Sequence, residues 1–200
     1  MAINLANNNS LASITALPAS VSGGAMTLIS TATASSSATL SFTDIDDTYD
    51  EYVFKFINIH PATDAQTFQF NLSTDGGSNY NVTKTSTWFQ SFHNEADSAA
   101  SLSYENGYDL AQSTSDQPIV YQVGNGNDEQ VSGMIQLFNP ASTTFVKHFI
   151  GRCSSYYYTN GNLCGHFAGY GNTTSAVNAV IFKMSSGNID SGVIKLYGIS

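Results

Sequence analysis

The feature that most constrains this chain is a two-residue period that runs from residue 25 onward and is cut at intervals by turn residues. Phe68, Phe70 and Leu72 alternate with Thr67, Gln69 and Asn71, the pattern of a strand with one face buried and the other in water. Tyr52, Val53, Phe54, Phe56, Ile57 and Ile59 are apolar on both faces, which predicts a strand covered on both sides, by the fold or by a neighbouring subunit. Asp75-Gly76-Gly77 and Asn160-Gly161 supply the positive-φ positions of tight turns. His60-Pro61 and Asn139-Pro140 end strands, because proline donates no ladder hydrogen bond.

This punctuation predicts strands at 25–31, 37–43, 51–59, 66–73, 79–92, 117–123, 130–138, 144–158, 162–170, 176–184 and 191–199. A helical spacing shows only over 94–113 and near the N-terminus. Many short strands with few helices read as an all-β fold, a two-sheet antiparallel β-sandwich of jelly-roll type. With 12 Phe and 11 Tyr among 200 residues, one domain over 25–200 has enough aromatic side chain for a core, each buried ring removing roughly 150–250 Å² from water. Residues 132–138 and 191–197 share Ser, Gly, Ile and Leu at matching positions, which predicts two strands in similar surroundings.

Residues 1–24 differ in kind. They are small, polar and uncharged, with isolated Leu11, Ile14, Leu17 and Val21 at about helical spacing, interrupted by Pro18 and followed by a Gly23-Gly24 hinge. Four spaced apolar side chains do not offset the ordering of such a segment, at roughly 1–2 kcal/mol per residue. It reads as an extended N-terminal arm whose apolar residues make assembly contacts with another chain.

Charge narrows the function classes. Charged residues are 10% of the chain, against about 25% in ordinary soluble proteins, and the net charge is −9. The six basic residues, Lys55, Lys84, Lys147, Arg152, Lys183 and Lys195, are scattered along the sequence, so no stripe for phosphates and no nucleic-acid partner is expected. No apolar run reaches the roughly 18–20 residues of a membrane span, and the start lacks a secretion signal. Synthesis in the cytoplasm and no membrane partner are the expectations.

Catalytic and metal chemistry find no foothold in the pattern. Cys153 and Cys164 have no metal-ligand spacing. A two-residue turn at Asn160-Gly161 sets them four positions apart along a hairpin, roughly 13 Å at about 3.3 Å per residue, which predicts free thiols. His60, His93, His148 and His166 belong to no ligand motif. Glu51, Glu95, Glu105, Asp109 and Glu129 could furnish a glycosidase pair, but nothing in the sequence selects two of them. No catalytic residue, cofactor or metal is expected. The acidic run Asp44 to Glu51 lacks the glycine of a calcium loop and carries Lys55 where the bidentate Glu would stand, so it reads as a solvated loop. Tyr156, Tyr157 and Tyr158 beside the hairpin tip offer apolar faces with polar ends, suited to a sugar or a protein partner, and 93–116 is the longest irregular stretch.

Several phrases resemble a group of small virion structural proteins of tailed phages infecting marine bacteria and cyanobacteria. They are Asn8-Asn9-Ser10-Leu11 to Ala16-Leu17-Pro18, Tyr52 to Pro61, Phe138 to Phe149, and Met184 to Ile199. The resemblance implies a non-enzymatic virion component with no catalytic residues to carry over. The expected role is capsid decoration or a head fibre, with a tail-fibre module recognising host surface glycan as the alternative and a polysaccharide depolymerase third. A symmetric homo-oligomer, a trimer first, and other virion proteins are the expected partners.

Overall fold

The computed structural model describes residues 26–43 and 45–200. The predicted arm, with Leu11, Ile14, Leu17 and Val21, lies outside the described residues. Twelve strands follow one another along the chain: β1 Thr27–Ser37, β2 Leu40–Phe42, β3 Glu51–Pro61, β4 Gln66–Ser73, β5 Lys84–Asn94, β6 Ala100–Tyr104, β7 Gln117–Val123, β8 Val131–Phe138, β9 Lys147–Tyr157, β10 Gly161–Gly171, β11 Ala179–Met184 and β12 Ile189–Ile199. Among the described residues there is no helix, and every strand pairing is antiparallel.

The strands form a nearly closed, barrel-like sheet in the order β1-β12-β3-β8-β9-β7-β4-β11-β2, with β10, β5 and β6 branching from β9. The β9 to β7 link is a single pair, Val123 with Tyr157. Loops 62–65, 95–99, 124–130, 158–160 and 185–188 gather at one end, here the tip. The other end, the base, holds the remaining long loops and the pairing of Thr27 with Gly198. The two similar segments, 132–138 and 191–197, flank β3 on its two sides, so their likeness reflects a shared partner strand.

Aromatic rings fill the interior. Phe182 touches Phe42, Phe54, Phe68 and Phe70 with centroids 5.3–6.3 Å apart, joining β2, β3, β4 and β11. Three inward glycines make room for rings directly across the ladder: Gly133 opposite Phe56, Gly151 opposite Phe167 and Gly169 opposite Phe149. A Cβ at Gly151 would lie 2.1 Å from the Phe167 ring, far inside contact distance. The strand therefore needs glycine where it presses against a bulky neighbour.

At the base the core is closed by a polar network. Lys84 is fully buried and donates to Asn71 Oδ1 at 2.6 Å and Val82 O at 2.8 Å. Asn71 donates onward to Asp116 at 2.9 Å, which also accepts from Gln69 and Lys183. Burial pushes the Lys84 ammonium down to about 8, while the Asp116 charge pulls it back up. Lys147 is fully buried as well and donates to Phe145 O and Thr173 O. These bonds supply the partners that a buried ammonium requires.

Four sequence expectations need correction. The stretch with helical spacing, 94–113, contains β6 and turns, with Asn94 Oδ1 accepting from the Ser98 and Ala99 amides. The β9–β10 hairpin turns over three residues rather than two: Tyr157 pairs with Gly161, and Asn160 adopts φ 61°, the left-handed residue that a three-residue loop needs. Cys153 thus faces Gly165 and Cys164 faces Ser154. The thiols are free because adjacent positions on one strand and the next point to opposite faces, not because of a four-residue offset. Finally, β3 is covered on both faces only near its start, where Val53 is buried on the outer side, and not at Ile57. Tyr52, Phe54 and Phe56 are buried inside, Ile57 is 43% exposed outside, and Asn58 at φ 52° shifts the register so that Ile59 turns back in.

Candidate functional site

Tyr156 stands apart from the other two tyrosines, whose rings pack edge to face with centroids 5.0 Å apart. Tyr157 packs edge-on against Phe92 and Tyr121 and donates to Gln122 Oε1, which makes it part of the wall. Tyr158 is 38% exposed. Tyr156 lines a polar cleft of about 340 Å³ at the tip with His93, Glu95, Asp128, Gln130 and Asn162. Loop 124–130 separates this cleft from a second, about 540 Å³, lined by Asn58, His60, Asp128, Glu129 and Asp190. His60 binds Gly126 O at 3.0 Å, and since a carbonyl only accepts, Nε2 carries the proton. That bond and the Gly126 amide's donation to Glu129 at 2.7 Å hold the dividing loop.

The tip is acidic throughout. Asp64, Glu95, Asp97, Asp128, Glu129 and Asp190 lie on its loops or at its strand ends, and it carries no Lys or Arg. Of the acidic run, Asp46 accepts from the Tyr52 hydroxyl at 2.7 Å, and Glu51 accepts from Gln136. That hydrogen bond to Tyr52 lowers the Asp46 carboxyl. No three His, Cys, Asp or Glu side chains converge on a metal-sized site among the described residues. The glycosidase candidates are dispersed: Glu105 binds Gln90 and Ser103, Asp109 binds Tyr104, and Glu95 and Glu129 line different clefts.

The second surface is the outer face of the sheet, which the two-sided apolar pattern of β3 hinted at only through Ile57. Cross-strand pairing sets Lys195 opposite Lys55, Lys55 opposite Met134, Met134 opposite Arg152, Arg152 opposite His166, and His166 opposite Phe89. Residues far apart in sequence thus form one row across β12, β3, β8, β9, β10 and β5. At about 4.8 Å per strand the row is roughly 24 Å long. Basic residues described above as scattered are scattered only along the chain. Lys84 and Lys147 are buried, Lys183 is paired with Asp116 at 2.7 Å, and the remaining three stand in this row.

None of those three forms an ion pair among the described residues. Lys55 leans over the Tyr197 ring, 5.4 Å from its centroid. Two ammonium groups on directly opposed residues repel, by about 1 kcal/mol at 4–5 Å in water. Around the row the face is apolar. Leu28, Ile57, Phe89, Leu102, Tyr104 and Ile150 are six of the nine large apolar side chains exposed among the described residues, and register puts all six on this face. A trough of about 520 Å³ lined by Phe138, His148, Ile150, Ala168 and Tyr170 adjoins it.

Compared with protein-family models, curated proteins and solved structures, the chain matches none of them.

Proposed function

We propose that this chain is a non-enzymatic structural subunit of a tailed-phage virion, a capsid decoration or head-fibre protein that works through protein–protein contacts within a homo-oligomer. The observation that carries the reading is the outer face, where exposed apolar side chains flank unpaired cations; exposed patches of that kind on a soluble fold serve docking. The strand order supports a jelly-roll sandwich at the finer level, with β1-β12-β3-β8 as one sheet and β2-β11-β4-β7 as the other. The hairpin β9–β10 and strands β5 and β6 then widen the first sheet. Residues 1–24 are the proposed anchoring arm, and the first described strand starts at the base, opposite the tip.

The test is location. Particles purified from an infected culture and probed with an antibody to residues 25–200 should carry the chain at a fixed copy number on the head. Its recovery only from the soluble lysate sinks the proposal. A second reading, a tail module recognising host surface glycan, is favoured by one observation: the tip clefts combine amides, carboxylates and the Tyr156 ring, groups that suit vicinal hydroxyls and a sugar face. Labelling of the tail, with loss of cell binding in Tyr156→Ala, supports that reading over the first.

A further inference from the structure

We infer that copies of this chain associate head to side, the acidic tip of one copy docking on the cationic row of the next. The inference rests on the assembly role proposed above and names the partner of the outer face as a second copy. Three facts converge on it. Lys55, Lys195 and Arg152 are the cations left after burial and internal pairing account for the rest, and register sets them in line. Lys55 directly opposes Lys195, a like-charge pair with no carboxylate partner among the described residues, Lys55 resting over the Tyr197 ring, and like charges directly opposed cost stability in an isolated sheet.

The chain also carries the complementary surface. The tip has six carboxylates and no Lys or Arg. Carboxylates are held internally at both ends. At the base Asp46 is held by Tyr52, Asp75 by Asn79, Asp109 by Tyr104 and Asp116 by Lys183. At the tip Asp97 is held by His93, Asp190 by His60, and Asp64 and Glu129 by loop amides; Glu95 and Asp128 are the tip carboxylates that line the cleft beside Tyr156. The described chain begins at the base, where Thr27 pairs with Gly198. A face-to-face dimer with row on row would set cations against cations, so the row meets the tip of another copy instead, and in the head-to-side arrangement that contact is heterologous. A heterologous contact closes into a ring when the rotation between copies divides a full turn and otherwise propagates as a filament. The apolar side chains beside the row, Ile57, Phe89 and Ile150, supply area that the charges alone do not.

Sedimentation of the full chain tests this with a charge swap. The native protein should form an oligomer that loosens as salt rises, because contacts between exposed charges are screened within about 8–10 Å. A row variant, Lys55→Glu with Lys195→Glu, and a tip variant, Glu95→Lys with Asp128→Lys, should each associate at least about tenfold more weakly. Mixed one to one, the two variants should recover a complex that neither forms alone. Circular dichroism checks that both remain folded, and Lys55→Gln with Lys195→Gln, expected to weaken association in the same direction, replaces the row variant if it does not. Unchanged mass in the row variant, or no complex in the mixture, overturns the inference. So does a row whose reversal affects only binding to a polyanion such as heparin. Antibody labelling of particles is read separately, so a failed swap with labelled heads rejects the docking mode and leaves the virion role standing.

Discussion

The lysines inside this protein and the lysines outside it live under opposite rules. Lys84 and Lys147 are fully buried, yet each has hydrogen-bond acceptors in place. Lys55 and Lys195 have solvent, but each faces the other across a ladder. The inner pair closes the base of the barrel, and removing it should harm the fold. The outer pair burdens the fold slightly, and removing it should help an isolated subunit. Position in the architecture, not residue type, decides which lysine is structural.

The largest effect expected is for Lys84→Ala. It deletes the donor to Asn71 and Val82 and leaves a cavity, so it should cost about 2–4 kcal/mol in chemical denaturation. A loss below about 1 kcal/mol would erase the distinction between the two pairs.

The pH profile sharpens the same contrast. Lys84 is depressed to about 8 from 10.5 when folded, so between those values the unfolded chain holds more protons. Stability should therefore rise with pH across that window, by at most about 3 kcal/mol, and Lys147, shifted the same way by burial, adds to it. Above about pH 10 the trend reverses. Burial raises the Tyr52 and Tyr121 hydroxyls to about 12, so stability present below pH 10 is lost as pH climbs through that value. Thermal melts from pH 7 to 12 should show the rise and the fall, with the rise reduced in Lys84→Met.

Neighbouring residues of β9 provide a smaller test of inside against outside. Gly151→Ala drives a methyl into the Phe167 ring and should cost about 1–3 kcal/mol. Ile150→Thr, one residue away and half exposed, should stay within about 0.5 kcal/mol. Equal losses would show that β9 has no free face.

The smallest effect carries the reverse sign. Lys195→Gln relieves the opposition to Lys55 and should raise the stability of the separated subunit by up to about 0.5 kcal/mol. Its association, measured in the same sample, should weaken.

Strands were legible wherever apolar alternation and a turn residue coincided. Phe68-Phe70-Leu72 gave β4, and the proline at 61 ended β3. Strand β6 escaped because Ala100 to Tyr104 is exposed along its length, with Leu102 in the open, so no buried period marks it. The hairpin register failed on one residue: Asn160 and Gly161 suggest a two-residue turn, while Asn160 alone takes the left-handed position. Tyr156 was placed correctly beside the tip, but the sequence could not tell it from Tyr157, which faces the interior. The cationic row was illegible in principle. It exists only through the registers of successive strand pairs, and a slip of one residue in any of them would send a lysine to the other face.

The glycine–aromatic pairs have a consequence for how this sequence could drift. Gly151 with Phe167, Gly133 with Phe56 and Gly169 with Phe149 each divide one packing volume between two positions. A side chain gained on one strand has to be matched by bulk lost on the other, as in Gly151→Ala with Phe167→Leu. Such positions change together or hardly at all, so among divergent descendants of this chain the paired columns should covary, and that correlation would report the β3–β8 and β9–β10 registers without any coordinates.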